Sequence, residues 1–193
     1  MVPEKTVWWL VSFKWEGNSW KYASIQDSPG EIFLNDITDT RKTIKRLGAE
    51  QAHEMLGVFL APDGNLQAQL EKMTRAAIQW ADTMRTGTLS KSDVWLALRS
   101  TIWQTLAYPP AINLTCDQCE SIMSPILHYC LPALGICRNF PRKLVHAPLS
   151  RMGLHLVHLH TLQEIYQMKD IVTHTFQGTL TGQLYKLSLE LFL

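Results

Sequence analysis

The spacing of apolar positions changes once along this chain, near residue 64. Before it, Val7, Trp9, Val11, Phe13 and Trp15 alternate with their neighbours, the period-two pattern of a strand with one buried face. Gly17-Asn18 then offers a two-residue turn ahead of residues 20–25, so a β-hairpin is predicted there. Pro29-Gly30 breaks the chain again, and short strands are predicted over residues 32–34 and 42–47. Residues 55–60 are apolar on both faces, as in a fully buried strand, and Pro62-Asp63-Gly64 closes that stretch with turn chemistry.

Past Asn65, a good helix cap, Leu66, Leu70, Met73, Ala77, Trp80 and Met84 recur at spacings of three and four, which makes one stripe of an amphipathic helix ending at Gly87. Ser90 opens a second helix carrying Val94, Leu98, Ile102 and Leu106, and Pro109-Pro110 stops it. Thr115 with Gln118 forms a capping-box pattern for a third. A fourth is predicted over residues 156–172 and a short last one from Leu180. The fold class that follows is α+β: a small antiparallel β lobe over residues 1–64, followed by a helical bundle over residues 65–193.

Composition narrows the function classes. With 46% hydrophobic and 18% charged residues and seven tryptophans, the chain can bury a large core. Its longest uncharged stretches, 100–116 and 121–137, are interrupted by prolines and fall short of the roughly 20 apolar residues of a membrane span. No secretory leader is read at Met1 to Lys5, so an intracellular location and free thiols are expected. The net charge is only +1, but it is unevenly distributed: residues 1–64 carry seven Lys/Arg against nine Asp/Glu, whereas residues 138–151 hold Arg138, Arg142, Lys143 and Arg151 and no acid.

Several chemistries can be weighed from spacing. Cys116-x-x-Cys119, with Cys130 and Cys137 beyond, has the look of a zinc pair, yet Cys116, Cys119 and Cys130 share a helical stripe with Met123 and Ile126 and read as core. His155, His158 and His160, with His146 nearby, have no carboxylate close in sequence before Glu164 and read as packing or surface groups. Neither a Gly-x-Ser-x-Gly elbow nor a phosphate-cradling Gly-x-x-x-x-Gly-Lys occurs. Arg41, Lys42, Lys45 and Arg46, like Lys72, Arg75, Arg85, Lys91 and Arg99 on the first two long helices, fit solvated faces. The Arg138-Asn139-Phe140-Pro141-Arg142-Lys143 run, cationic and with an aromatic, has the groups that a phosphate backbone contact requires.

Taken in order, these segments resemble the region downstream of the catalytic aspartates in reverse transcriptases of non-LTR retrotransposons. Pro3-Glu4-Lys5-Thr6, then Trp8, Leu10, Phe13, Trp15, Gly17-Asn18 and Trp20, is similar to that family's lysine-bearing strand and the aromatic run after it. Leu56-Gly57-Val58 with Pro62-Asp63-Gly64 resembles the strand that enters the thumb. The helices from Asn65 to Leu106, linked through Leu89-Ser90, match the thumb's helical pattern, and Arg138-Asn139-Phe140-Pro141-Arg142, Pro148 and Gly153-Leu154 resemble its later stretch. The family's following glycine is His155 here, a departure that puts the local turn in question.

The resemblance covers nearly the whole chain and implies the end of a polymerase palm followed by a thumb that tracks an RNA/DNA primer-template duplex. It also implies that the fingers, the rest of the palm and the aspartates that hold two Mg2+ ions would lie before Met1. Asp36 and Asp39 are not adjacent and cannot replace them, so this chain alone is expected to be inactive and to carry no cofactor. Lys5 matches the family lysine proposed to protonate departing pyrophosphate. Residual backbone binding is then expected at Lys5, Lys72, Arg75, Arg99, Arg138, Arg142, Lys143 and Arg151. Two other classes stay open: a helical protein-interaction module with no nucleic-acid role, and a zinc-binding protein.

Overall fold

In the computed structural model the chain is α+β, and the description covers residues 6–35, 40–107 and 112–192. It divides into two compact units, Met1–Gln69 and Leu70–Leu193.

The first unit contains all the strands among the described residues. β1 (Val7–Trp9), β4 (Ile32–Asn35) and β5 (Arg41–Leu47) form one sheet in the order β1-β5-β4, with β2 (Phe13–Glu16) and β3 (Ser19–Tyr22) making one two-stranded hairpin and β6 (His53–Met55) and β7 (Val58–Leu60) another. Within this class the three-stranded sheet is mixed, since β1 runs parallel to β5 while β4 runs antiparallel to it. The central strand buries Ile44 and Leu47.

The predicted hairpin forms at β2 and β3, pairing Phe13 with Tyr22 and Trp15 with Trp20. Gly17 and Asn18 both have positive φ, +59° and +71°, the backbone that a right-twisted two-residue turn demands. The alternating run from Val7 to Trp15 is not one strand, however. It breaks at residues 10–12, because β1 belongs to the other sheet, where Trp8 Nε1 donates to the Ile44 carbonyl (3.3 Å). The single buried strand expected over residues 55–60 is also a hairpin. Leu56 and Gly57 take φ of +51° and +84°, the chain reverses, and Leu56 is left 93% exposed.

The second unit is helical, and its helix starts are where the capping residues put them. Asn65 Oδ1 accepts from Gln67 N (2.9 Å) at the start of α1 (Gln67–Thr86). Ser90 and Asp93 form a reciprocal capping box on α2 (Lys91–Ala97), which continues through a π turn (Leu98–Ile102) into α3 (Trp103–Ala107). Residues spaced by four drift about 40° per step around a 3.6-residue helix; the wider π turn offsets that drift and keeps Val94, Leu98, Ile102 and Leu106 all buried. Thr115 and Gln118 box α4 (Cys116–Ala133), whose inward face is Cys119, Ile122, Met123, Ile126, Leu127, Cys130 and Leu131.

After α4 come the short α5 (Arg142–His146), a 3-10 turn (Leu149–Arg151), α6 (Leu159–Gln177) and α7 (Leu180–Phe192). Gly178 (φ +65°) ends α6 and lets α7 fold back on it. Buried Gln163 of α6 holds the segment ahead of α4: its Oε1 accepts from Leu114 N (3.1 Å), and its Nε2 donates to the Leu114 carbonyl (3.3 Å) and to Asn113 Oδ1 (3.3 Å).

Residues 144–156 close into a ring of backbone bonds. Leu154 N, His155 N and Leu156 N donate to the carbonyls of Leu144, Ala147 and Val145, at 3.1, 2.9 and 3.2 Å. Gly153 passes so near Ala147 that a Cβ would lie 2.0 Å from its carbonyl oxygen, which leaves room for glycine alone. Two residues on, His155 holds φ +53°, a left-handed conformation that glycine takes without the steric cost of a Cβ.

Two stability effects of opposite sign are expected in chemical denaturation. His155→Gly relieves the left-handed strain and raises the unfolding free energy by about 0.5–1 kcal/mol. Gln163→Leu strands both backbone groups of buried Leu114 and lowers it by about 2 kcal/mol or more; an unchanged midpoint would show that the Gln163 bonds contribute nothing.

Candidate nucleic-acid interface

The acid-free cationic run is positioned by packing on either side of it. Phe140 N bonds the Cys137 carbonyl (2.9 Å) and turns the chain after α4; Pro141 starts α5, and fully buried Val145 pins that helix to the core. The start of α5 then faces outward, so Arg142 and Lys143 are exposed, as are Arg138 before it and Arg151 on the 3-10 turn. Among the described residues none of these four has an ion-pair partner. Unpaired guanidinium and ammonium groups on a braced backbone can neutralise phosphates without first giving up a carboxylate.

The other predicted contacts are placed differently. Lys72 and Arg75 ride on α1 and Arg99 on the π turn, its guanidinium 5.9 Å from the Trp95 ring. Arg142 and Lys143 share one hollow of about 580 Å³. Arg138 lines a second and larger groove between α1 and α4, about 1410 Å³, with Arg85, Asp82, Asp117 and Glu120. Lys72, Arg75, Arg99 and Arg151 line neither. Lys5, Asp36 and Asp39 lie outside the described residues.

The smaller hollow gathers more than cations. Its wall carries Cys116, Glu120, His146, His158 and His160 beside Arg142 and Lys143. Cys116 and Glu120 lie one turn apart on α4, and His158 caps α6, its Nδ1 accepting from His160 N (3.2 Å). One ligating atom from each of Cys116, Glu120 and His158 falls within 4.8 Å of the others. The His146 ring meets that of His158 edge-on, with centroids 4.8 Å apart, and its Nδ1 pairs with the Leu156 carbonyl at 2.7 Å. Burial holds the His158 pKa below its ordinary value, and neighbouring His146 pushes the same way against Glu120.

Of the cysteines expected on the core stripe, Cys116 lies outside it. Cys119 and Cys130 are completely buried, and desolvation raises their thiols to about 11 and about 12. Cys116 is exposed, because as the first residue of α4 it lies at the helix end where the surface begins. Spacing also hid Glu120: the carboxylate near the histidines in sequence, Glu164, pairs with His160 (3.6 Å), and it is the packing of α4 against the start of α6 that brings Glu120 to His158.

Comparison with known proteins finds no family model, no curated protein and no solved structure that matches the chain. Among the described residues, no helix is long and apolar enough to cross a membrane.

Thiol labelling of the native protein in chelator at pH 8 is expected to modify Cys116 and Cys137 and to spare Cys119 and Cys130, with all four reacting in denaturant. The unfolded chain would release the last two protons near pH 9 while the folded chain keeps them, so stability should decline as pH rises from about 9 toward 11 and 12. Four equally fast thiols in the native protein would contradict the burial of α4.

Proposed function

We propose that this chain is the palm-end and thumb portion of a reverse transcriptase of the non-LTR retrotransposon type, without its catalytic aspartates, and that it binds the sugar-phosphate backbone of an RNA/DNA duplex. The ordered run of segments from Trp8 to Gly153-Leu154 supports the descent. The observation that carries the binding is the set of four exposed cations, Arg138, Arg142, Lys143 and Arg151, without ion-pair partners among the described residues and displayed along one stretch of backbone that contains no acid. Such a surface contacts phosphates and reads no bases, so binding on this reading is general for sequence and strongly dependent on salt.

The helix from Leu159 to Gln177 and its partner from Leu180 favour a second reading, a protein-interaction module. Ile165, Met168, Phe176, Leu180, Leu184 and Leu191 are all more than half exposed on that pair, and exposed apolar side chains gathered on neighbouring helices suit a contact site. The two readings differ in what disrupts them: salt and loss of cations in the first, loss of apolar side chains in the second.

Anisotropy of a labelled hybrid duplex, titrated with the full chain at 50 and 200 mM salt, is expected to show affinity falling steeply with salt. Replacing Arg138, Arg142 and Lys143 together by alanine should flatten the slope of log K against log salt by about 2 to 3. Affinity indifferent to salt, or to the triple replacement, would remove the basis for the binding.

A further inference from the structure

Three features outside the cationic surface carry unassigned chemistry: the larger groove between α1 and α4, the apolar face of α6 and α7, and the Cys116, Glu120 and His158 cluster. The groove mixes acids and bases without a converging set of donors, and nothing in the structure says what covers the apolar face. The cluster is different, because it brings three metal-ligating groups of complementary type together from two elements, Cys116 and Glu120 of α4 meeting His158 at the start of α6.

We infer that Cys116, Glu120 and His158 form a binding site for a zinc-type divalent cation. Zinc takes thiolate sulfur at about 2.3 Å, imidazole nitrogen at about 2.0–2.1 Å and carboxylate oxygen at about 2.0–2.2 Å. Ligands arranged tetrahedrally at such lengths lie roughly 3–4 Å from one another. The three groups already fall within 4.8 Å, so small side-chain rotations bring them onto one ion. The ligand types argue for zinc over harder or softer ions: magnesium and calcium prefer oxygen, and a carboxylate is a poor partner for copper(I). Thiolate and carboxylate together carry two negative charges, which balance the dication and offset repulsion from nearby Arg142 and Lys143.

The support for the site is built from backbone geometry. Thr115 and Gln118 cap α4 and fix its first turn, so Cys116 and Glu120 project from the same face four residues apart. His146 lies edge-on to His158, held by its contact with the Leu156 carbonyl. Three protein ligands leave a fourth coordination position, which opens into the hollow of about 580 Å³ and can accept water or a small ligand.

Loading has a local consequence. A metal on Nδ1 of His158 takes the lone pair that accepts from His160 N, and a metal on Nε2 forces the remaining ring proton onto Nδ1; in either case the capping contact at the start of α6 is given up.

Cobalt(II) replaces zinc in such sites and reports its ligands. Titrating the metal-free full chain with Co2+ alone is expected to give one equivalent of binding, a near-ultraviolet thiolate-to-cobalt band and visible bands of tetrahedral type, all removed by excess Zn2+. Cys116→Ser should abolish the near-ultraviolet band. Glu120→Gln, at an exposed helix position where folding is not at stake, should keep the band and weaken zinc by at least ~10-fold. Cys137→Ala should change neither. The assignment is overturned if no thiolate band develops in excess cobalt, if the band survives Cys116→Ser, or if Cys137→Ala removes it.

Discussion

The candidate surface depends on the ring of backbone bonds that closes residues 144–156. It is made by three amide-to-carbonyl contacts, anchored underneath by Val145, and drawn tight where Gly153 passes Ala147. Because every bond in it is main chain to main chain, the path is set before any surface side chain is chosen. That path carries Arg151 on its turn, Arg142 and Lys143 sit on the first residues of α5 just before it, and its exit leads to His158 at the start of α6. One closed stretch therefore holds Arg151 and braces the neighbours of both remaining groups.

Much of this could be read in the sequence, for reasons that differ by element. Asn65, Ser90 and Thr115 have side chains that accept from backbone amides two or three residues on, and each opens its helix where that chemistry predicts. Gly17-Asn18 was legible because few residues tolerate two successive positive φ values. The break at residues 10–12 was not, since whether β1 joins β5 or continues into β2 is decided by a partner 38 residues away. Leu56-Gly57 was read as strand because Leu56 is apolar, although the glycine beside it permits the reversal that exposes it. Hydrophobicity predicts burial only on average, and at a tight turn the backbone decides.

The same limits apply to the site. The cationic run was evident as a local absence of acids, a property of contiguous sequence. The meeting of Cys116 and Glu120 with His158 was not, since it depends on how α4 packs against the entry to α6, and no spacing rule spans that gap. His155 stands between the two cases: the departure from glycine was visible, and the structure gives its meaning as a left-handed backbone retained in spite of a Cβ.

Glu120 borders both the smaller hollow and the larger groove beside it. A carboxylate shared by two depressions links whatever occupies them. At the proposed site, drawing that carboxylate onto a cation would withdraw negative charge from the rim it shares with Arg138 and Arg85.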